Sequence, residues 1–420
     1  ELFFRAADAS ARRSLARSLS SSKARNAIMR SDQIGPVLWL VAFVGSGIGL
    51  GQTFELLQLH AGPARYDTFF LCLLGYWANF LVGGLWVVWT GSWRRGRWTR
   101  KMRAVLVLSA VFDGAAQALN YVAQLEGGIM LFTIFNSSVT VFACLSAVLA
   151  FKARLRPLQW AGVLSIVFGL FVTAFPNPVT ARHSFAWGLL CSMLGSVCLA
   201  TSYPLAEAVF RLAPPGEAPS EEMACVCGNV VNVVAITAWS LAYTRPRWQE
   251  AVVAPIAAAA QPSVEWAVFG YALFALLVGV HSLAFWKAVG KLGTVPTAVS
   301  KGAQQAGVFL FAHILYCDVD PTECIYNNGQ QTTAWSRMQK SVAFLACCGG
   351  VVTYSLGKKS KADRDGELPP ASAADDSDDE PNDPFALATW MATPAASRPG
   401  RVRDAPAPSG ALRLTYNYEL

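Results

Sequence analysis

The chain has 420 residues, of which 54% are hydrophobic and only 15% charged. Soluble domains average about 45–50% apolar and about 25% charged, so a membrane protein is the first reading. The formal net charge of +7 does not indicate a nucleic-acid reader, because the Lys and Arg residues fall in short gaps between apolar runs and not on one soluble face.

Residues 1–33 are rich in Arg, Ser and Ala and poor in acids. They predict a basic cytosolic segment, with an organellar transit segment as the alternative. A hydrocarbon core takes roughly 20 apolar residues per helix. By that measure ten spans follow, at 34–57, 69–90, 104–124, 127–151, 158–175, 185–210, 224–243, 266–289, 295–316 and 338–356. In the first, Gly45, Gly47, Gly49 and Gly51 lie inside an apolar run with no preceding strand, which fits close helix packing better than a dinucleotide loop.

The third span carries Asp113, Gln117, Asn120 and Gln124 at i, i+4, i+7 and i+11. A helix gathers these on one face, and in lipid that face must look inward. The fourth carries Asn136 and Ser137 near its start, and the second Tyr76 and Asn79. In the ninth, Lys301 is followed by Gln304 and Gln305, again on one face. A charge at the bilayer centre costs about 3 kcal/mol on insertion scales, so Asp113 and Lys301, the two deepest charges, each call for a reason. Glu55, Glu207 and Lys287 lie near span ends, where reaching toward headgroups explains them. Asn229, Asn232 and His281 are further polar positions able to face the same space. Asp113, Gln117, Asn120, Asn136, Ser137, Lys301, Gln304, Gln305, Tyr76 and Asn79 together form the expected substrate site.

Most of the ten Cys residues sit inside apolar runs and read as packing groups. Cys225 and Cys227 have no neighbouring Cys/His cluster, so no metal site is expected. Cys317 and Cys324 flank a short polar loop and predict a disulfide on an oxidising side of the membrane. The tail 357–420 starts with a basic stretch, and beyond Arg364 it becomes rich in Pro, Ala and Ser with an acidic block at 375–380, the composition of a disordered cytosolic tail. On alternate sides of ten spans, 22 Lys and Arg face 5. This asymmetry predicts that both termini are cytosolic.

The stretch 118–174, with its short helix connection, its small and polar second helix and the tail "ARLRPLQWAGVLSIVFGLFVTA", resembles the repeat of the drug/metabolite transporter superfamily, the EamA-like and solute carrier 35-like ten-helix carriers. Ala153 stands where many members have a Glu, and Lys301 is followed by Gly302 where phosphate-carrying relatives have a basic pair later in the span. Neither an acid's role nor phosphate or nucleotide-sugar specificity transfers. The segment 118–151 is weakly echoed at 284–317. The second copy is displaced from the first by five spans, an odd number, so the copies are inverted, as in alternating-access carriers.

The expected fold is therefore all-α integral membrane, with ten transmembrane helices in two inverted five-helix repeats, 34–175 and 185–356, between the segments 1–33 and 357–420. The expected function is a secondary transporter of a small polar or anionic organic metabolite. A non-transporting receptor or scaffold is the alternative. An integral-membrane enzyme fits less well, since the four His residues are scattered and no H-E-x-x-H occurs. No cofactor is expected, and the missing Walker loop argues against ATP drive. The expected partners are a small-molecule solute and the lipid bilayer, with a homodimer as one permitted assembly and no nucleic acid.

Overall fold

The computed structural model describes residues 22–60, 64–94, 96–127, 129–151, 155–174, 185–214, 217–257, 264–316 and 334–357. The described residues are helical, with no strand among them. In chain order the helices are α1 (Ser22–His60), α2 (Phe70–Thr90), α3 (Arg100–Gly127), α4 (Ile129–Asn136), α5 (Ser138–Phe151), α6 (Pro157–Ala174), α7 (Phe185–Arg211), α8 (Glu221–Trp239), α9 (Val264–Leu292), α10 (Thr294–Tyr316) and α11 (Ala334–Leu356). After α8 the chain continues through wider turns at Ser240–Thr244 and Gln249–Val253, with a tight turn at Arg245–Arg247 between them. The Cys317–Cys324 pairing and the acidic tail lie outside the described residues.

Six described helices hold stretches long and apolar enough to cross a membrane: Gly35–Gln58, Phe70–Thr90, Arg100–Glu126, Ala186–Arg211, Glu221–Arg247 and Glu265–Leu292. This makes the chain a multi-pass membrane protein. Their outward faces agree, since Leu85 is 70% and Trp89 79% exposed. So continuous an apolar surface suits lipid and not water. The remaining expected spans depart from that standard for local reasons. The fourth is cut at Ser137 into α4 and α5. The ninth, α10, is diluted by Ser300, Lys301, Gln304 and Gln305, all of them buried. The fifth and tenth hold shorter apolar stretches, Pro157–Gly169 and Ser341–Tyr354. The first helix starts at Ser22, well before position 34, because Lys, Ala, Arg and Met are good helix formers that continue the apolar helix backward.

Helix α3 packs along α7, α9 along α1, α6 along α11, and α2 against both α8 and α9. Three of the four glycines at 45–51 in α1 mark close approaches. Gly47 faces the Gln304 side chain, Gly49 faces Leu277 and Gly51 faces Val308, while Gly45 meets nothing nearby. Helix α1 thus lies tight against α9 and α10, as small residues allow.

One end of the bundle is closed by a buried cluster that includes Met102, Leu106, Val209, Ala224, Trp286 and Val289. Beside it lie the charges expected to reach headgroups, and here that expectation is corrected. Glu207 and Lys287 are buried. Lys287 donates to Glu221 at 3.3 Å and to Glu222. Glu207 holds Arg211 at 2.5 Å and accepts the Thr294 backbone N–H at 2.6 Å, capping α10. The α9 to α10 turn consists of Gly293 alone, at φ 84°, a conformation glycine tolerates without a Cβ penalty. Glu55 is buried as well. These groups were misplaced because burial comes from neighbouring helices, which position along a span does not reveal.

Candidate functional site

A cavity with about 210 Å³ of water-accessible volume lies inside the bundle, walled by α1, α2, α3, α4, α7, α8, α9 and α10. It extends from Trp286 and Gly228, next to the closed end, to Phe54, Leu71 and Tyr121. The last three belong to a second buried cluster, and the Tyr121 hydroxyl donates to the Ala64 carbonyl at 3.0 Å.

The helical face of α3 delivers Asp113, Gln117, Asn120 and Gln124 to this wall together, as the i, i+4, i+7 spacing requires. Helix α10 delivers Lys301, Gln304 and Gln305, α2 delivers Tyr76 and Asn79, and α4 ends in the cavity with Asn136. Nine of the ten expected site residues are thereby brought to one space. Ser137 is the exception. The helix break at this residue turns its hydroxyl to the Cys347 Sγ at 3.8 Å, on the side of α11 and away from the lining.

The two charges do not touch. The Asp113 carboxylate accepts from the Tyr76 hydroxyl at 3.0 Å and, weakly, from the Gln117 amide at 3.5 Å. No carboxylate among the described residues lies within ion-pair distance of Lys301, which is 9% exposed. Asp113 therefore does not hold the Lys301 ammonium directly, and its nearest donor is the Tyr76 hydroxyl.

Amide orientations in the wall follow from backbone anchors. The Asn229 Nδ2 donates to the Cys225 carbonyl at 2.7 Å, leaving its Oδ1 to accept from Asn79 Nδ2 at 3.1 Å. The Asn79 Oδ1 then faces no donor, and Asn120 Oδ1 and Gln304 Oε1 are likewise buried without one. His281 Nδ1 lies 3.0 Å from the Phe43 carbonyl, an acceptor only, so this nitrogen carries the proton. The Phe43 ring stacks on the imidazole at 4.5 Å.

Sequence reasoning missed the aromatic part of the wall, including Tyr203 on α7 and Phe43 on α1. The run Ser202-Tyr203-Pro204, polar and helix-bending within an aliphatic span, was the available signal. No group of three His, Cys, Asp or Glu side chains suited to a metal occurs among the described residues. The eight described Cys residues are free, with Cys144, Cys191 and Cys225 buried in packing positions.

No family model matches the chain, and no curated protein matches it. Among solved structures, one described as "Crystal structure of protein" aligns over 76% of this chain and 96% of its own length, at 15% identity and a TM-score of 0.47.

Proposed function

We propose that the chain is a secondary transporter that moves a small polar or anionic organic solute by alternating access, a carrier of the drug/metabolite transporter type. One observation carries the reading: the half-buried Asp113 and the buried Lys301, not paired with each other, line a single cavity between helices. Purely structural membrane charges are expected to pair. A lysine facing a cavity without a carboxylate partner suits an anionic group on a solute, with Gln304 and Gln305 beside it as adaptable donors and acceptors.

The ten-span, inverted-repeat reading is supported by packing. Under a shift of five spans, α3 against α7 corresponds to α9 against α1, and α3 against α8 to α9 against α2. The pairs α2–α8 and α6–α11 correspond to themselves. All of these contacts are made. A broken helix at a central cavity, as at Ser137, is likewise common in carriers. With both termini in the cytosol, the end closed by Met102, Trp286 and Lys287 is cytosolic, and the cavity reaches toward the opposite face.

Uptake of a solute panel into proteoliposomes containing the purified full chain tests the proposal. Saturable accumulation is expected, lost in both Lys301→Gln and Asp113→Asn while cooperative melting is retained. Full uptake in both variants would reduce the two charges to packing groups. Ligand-induced stabilisation without uptake of any solute would favour the receptor alternative.

A further inference from the structure

We infer that the solute is a zwitterion, held with its oxyanion at Lys301 and its ammonium at Asp113. The inference rests on the carrier reading above and narrows its substrate class. It starts from the balance of donors and acceptors in the wall. At one place stands an ammonium with three N–H donors and no carboxylate partner among the described residues. At another stands a carboxylate whose four lone-pair positions receive one good hydrogen bond, from Tyr76 at 3.0 Å, and one long one, from Gln117 at 3.5 Å.

An ammonium brings three N–H donors and a charge opposite to that of Asp113, and so fills the acceptor positions that Tyr76 and Gln117 leave open on this carboxylate.

Single-charge solutes fit less well. A simple anion satisfies Lys301 but shares a low-dielectric cavity with the Asp113 carboxylate. A simple amine satisfies Asp113 and meets the Lys301 charge. A zwitterion answers both charges and adds no net charge to the bundle interior, where uncompensated charge is expensive. The aromatic side chains Phe43, Tyr203 and Trp286 in the same wall offer apolar surface for the skeleton joining the two ends.

The test uses the full chain in detergent and reads melting temperature against ligand concentration, since a ligand that binds the folded state raises it. Three matched probe classes share skeletons. The zwitterions are 4-aminobutyrate, 6-aminohexanoate and L-phenylalanine. The anions are butyrate, hexanoate and 3-phenylpropanoate, and the amines are butylamine, hexylamine and phenethylamine. At least one zwitterion is expected to act at roughly tenfold or more lower concentration than both of its single-charge analogues. Asp113→Asn is expected to transfer the preference to the matching anion, and Lys301→Gln to the matching amine. Anions acting as well as zwitterions on the unaltered chain would overturn the inference and leave an anion carrier standing. An unchanged zwitterion-to-anion ratio in Asp113→Asn would overturn it as well. Stabilisation by none of the nine compounds, with cooperative melting intact, overturns the inference. Zwitterion binding with no accumulation in proteoliposomes would instead uphold the ligand class and sink the carrier reading.

Discussion

Gly162 on α6 and Gly350 on α11 meet backbone to backbone, so that a Cβ built on either would lie 2.6 Å from the carbonyl oxygen of the other. No side-chain rotation relieves a clash with a main-chain oxygen, and the two helices must separate to admit even a methyl group. Gly162→Ala and Gly350→Ala are each expected to destabilise the protein by about 1–3 kcal/mol, the usual range for overpacking. Thermal melting in detergent measures the loss. The double variant is expected to lose less than the sum of the two, because one separation of the helices relieves both clashes.

Lys287 serves two carboxylates of unequal burial. Glu222 is 5% exposed, whereas the Glu221 side chain is 24% exposed. Removing the cation strands a buried charge, which typically costs about 3–5 kcal/mol. Lys287→Met is therefore expected to lower the melting temperature sharply, and adding Glu222→Gln to restore much of it. Glu221→Gln alone is expected to change little, since water still reaches that carboxylate. Equal effects of Glu221→Gln and Glu222→Gln would contradict the assignment.

Asn136 and Ser137 are neighbours with opposite outlooks. Asn136 lines the cavity and accepts from Ser196 at 3.4 Å, while Ser137 faces Cys347. Asn136→Ala is expected to weaken solute binding or uptake several-fold. Ser137→Ala is expected to leave both within a factor of about two, as for surface-like changes away from buried networks. Uptake kinetics for the two variants decide between them.

Orientation is open to a direct measurement. Glycosylation acceptors inserted after position 320 are expected to be modified and those inserted in the loop after α2 are not, given the Lys and Arg asymmetry. The reverse pattern would invert the cytosolic assignment of both ends.

What could be read from the residues beforehand follows from which patterns survive without a partner. The face of Asp113, Gln117 and Asn120 is a property of one helix, and so is that of Lys301, Gln304 and Gln305. Both were legible from spacing, and both reach the cavity. Ser137 was assigned with Asn136 because an unbroken helix puts adjacent residues close in angle, and nothing in the local sequence announces the break between α4 and α5. Lys287 and Glu222 are separated by 65 positions, so their pairing depends on how α8 meets α9, a relation no single span records. Tyr203 escaped although the run Ser202-Tyr203-Pro204 marked it, because an aromatic in a membrane span reads as lipid-facing until its neighbours are known.

The one-residue turn at Gly293 has a further consequence. It leaves no slack between α9 and α10, so Lys287, before the turn, and Lys301, after it, ride on the same lever. Glu207 grips that lever at the Thr294 N–H although it forms no part of the cavity wall. If solute binding at Lys301 shifts α10, occupancy and the grip of Glu207 become linked equilibria, and by reciprocity each alters the other by the same factor. A titration of Glu207→Gln with any solute found to bind is expected to return a shifted affinity, a change at the site made by a residue that never touches the ligand.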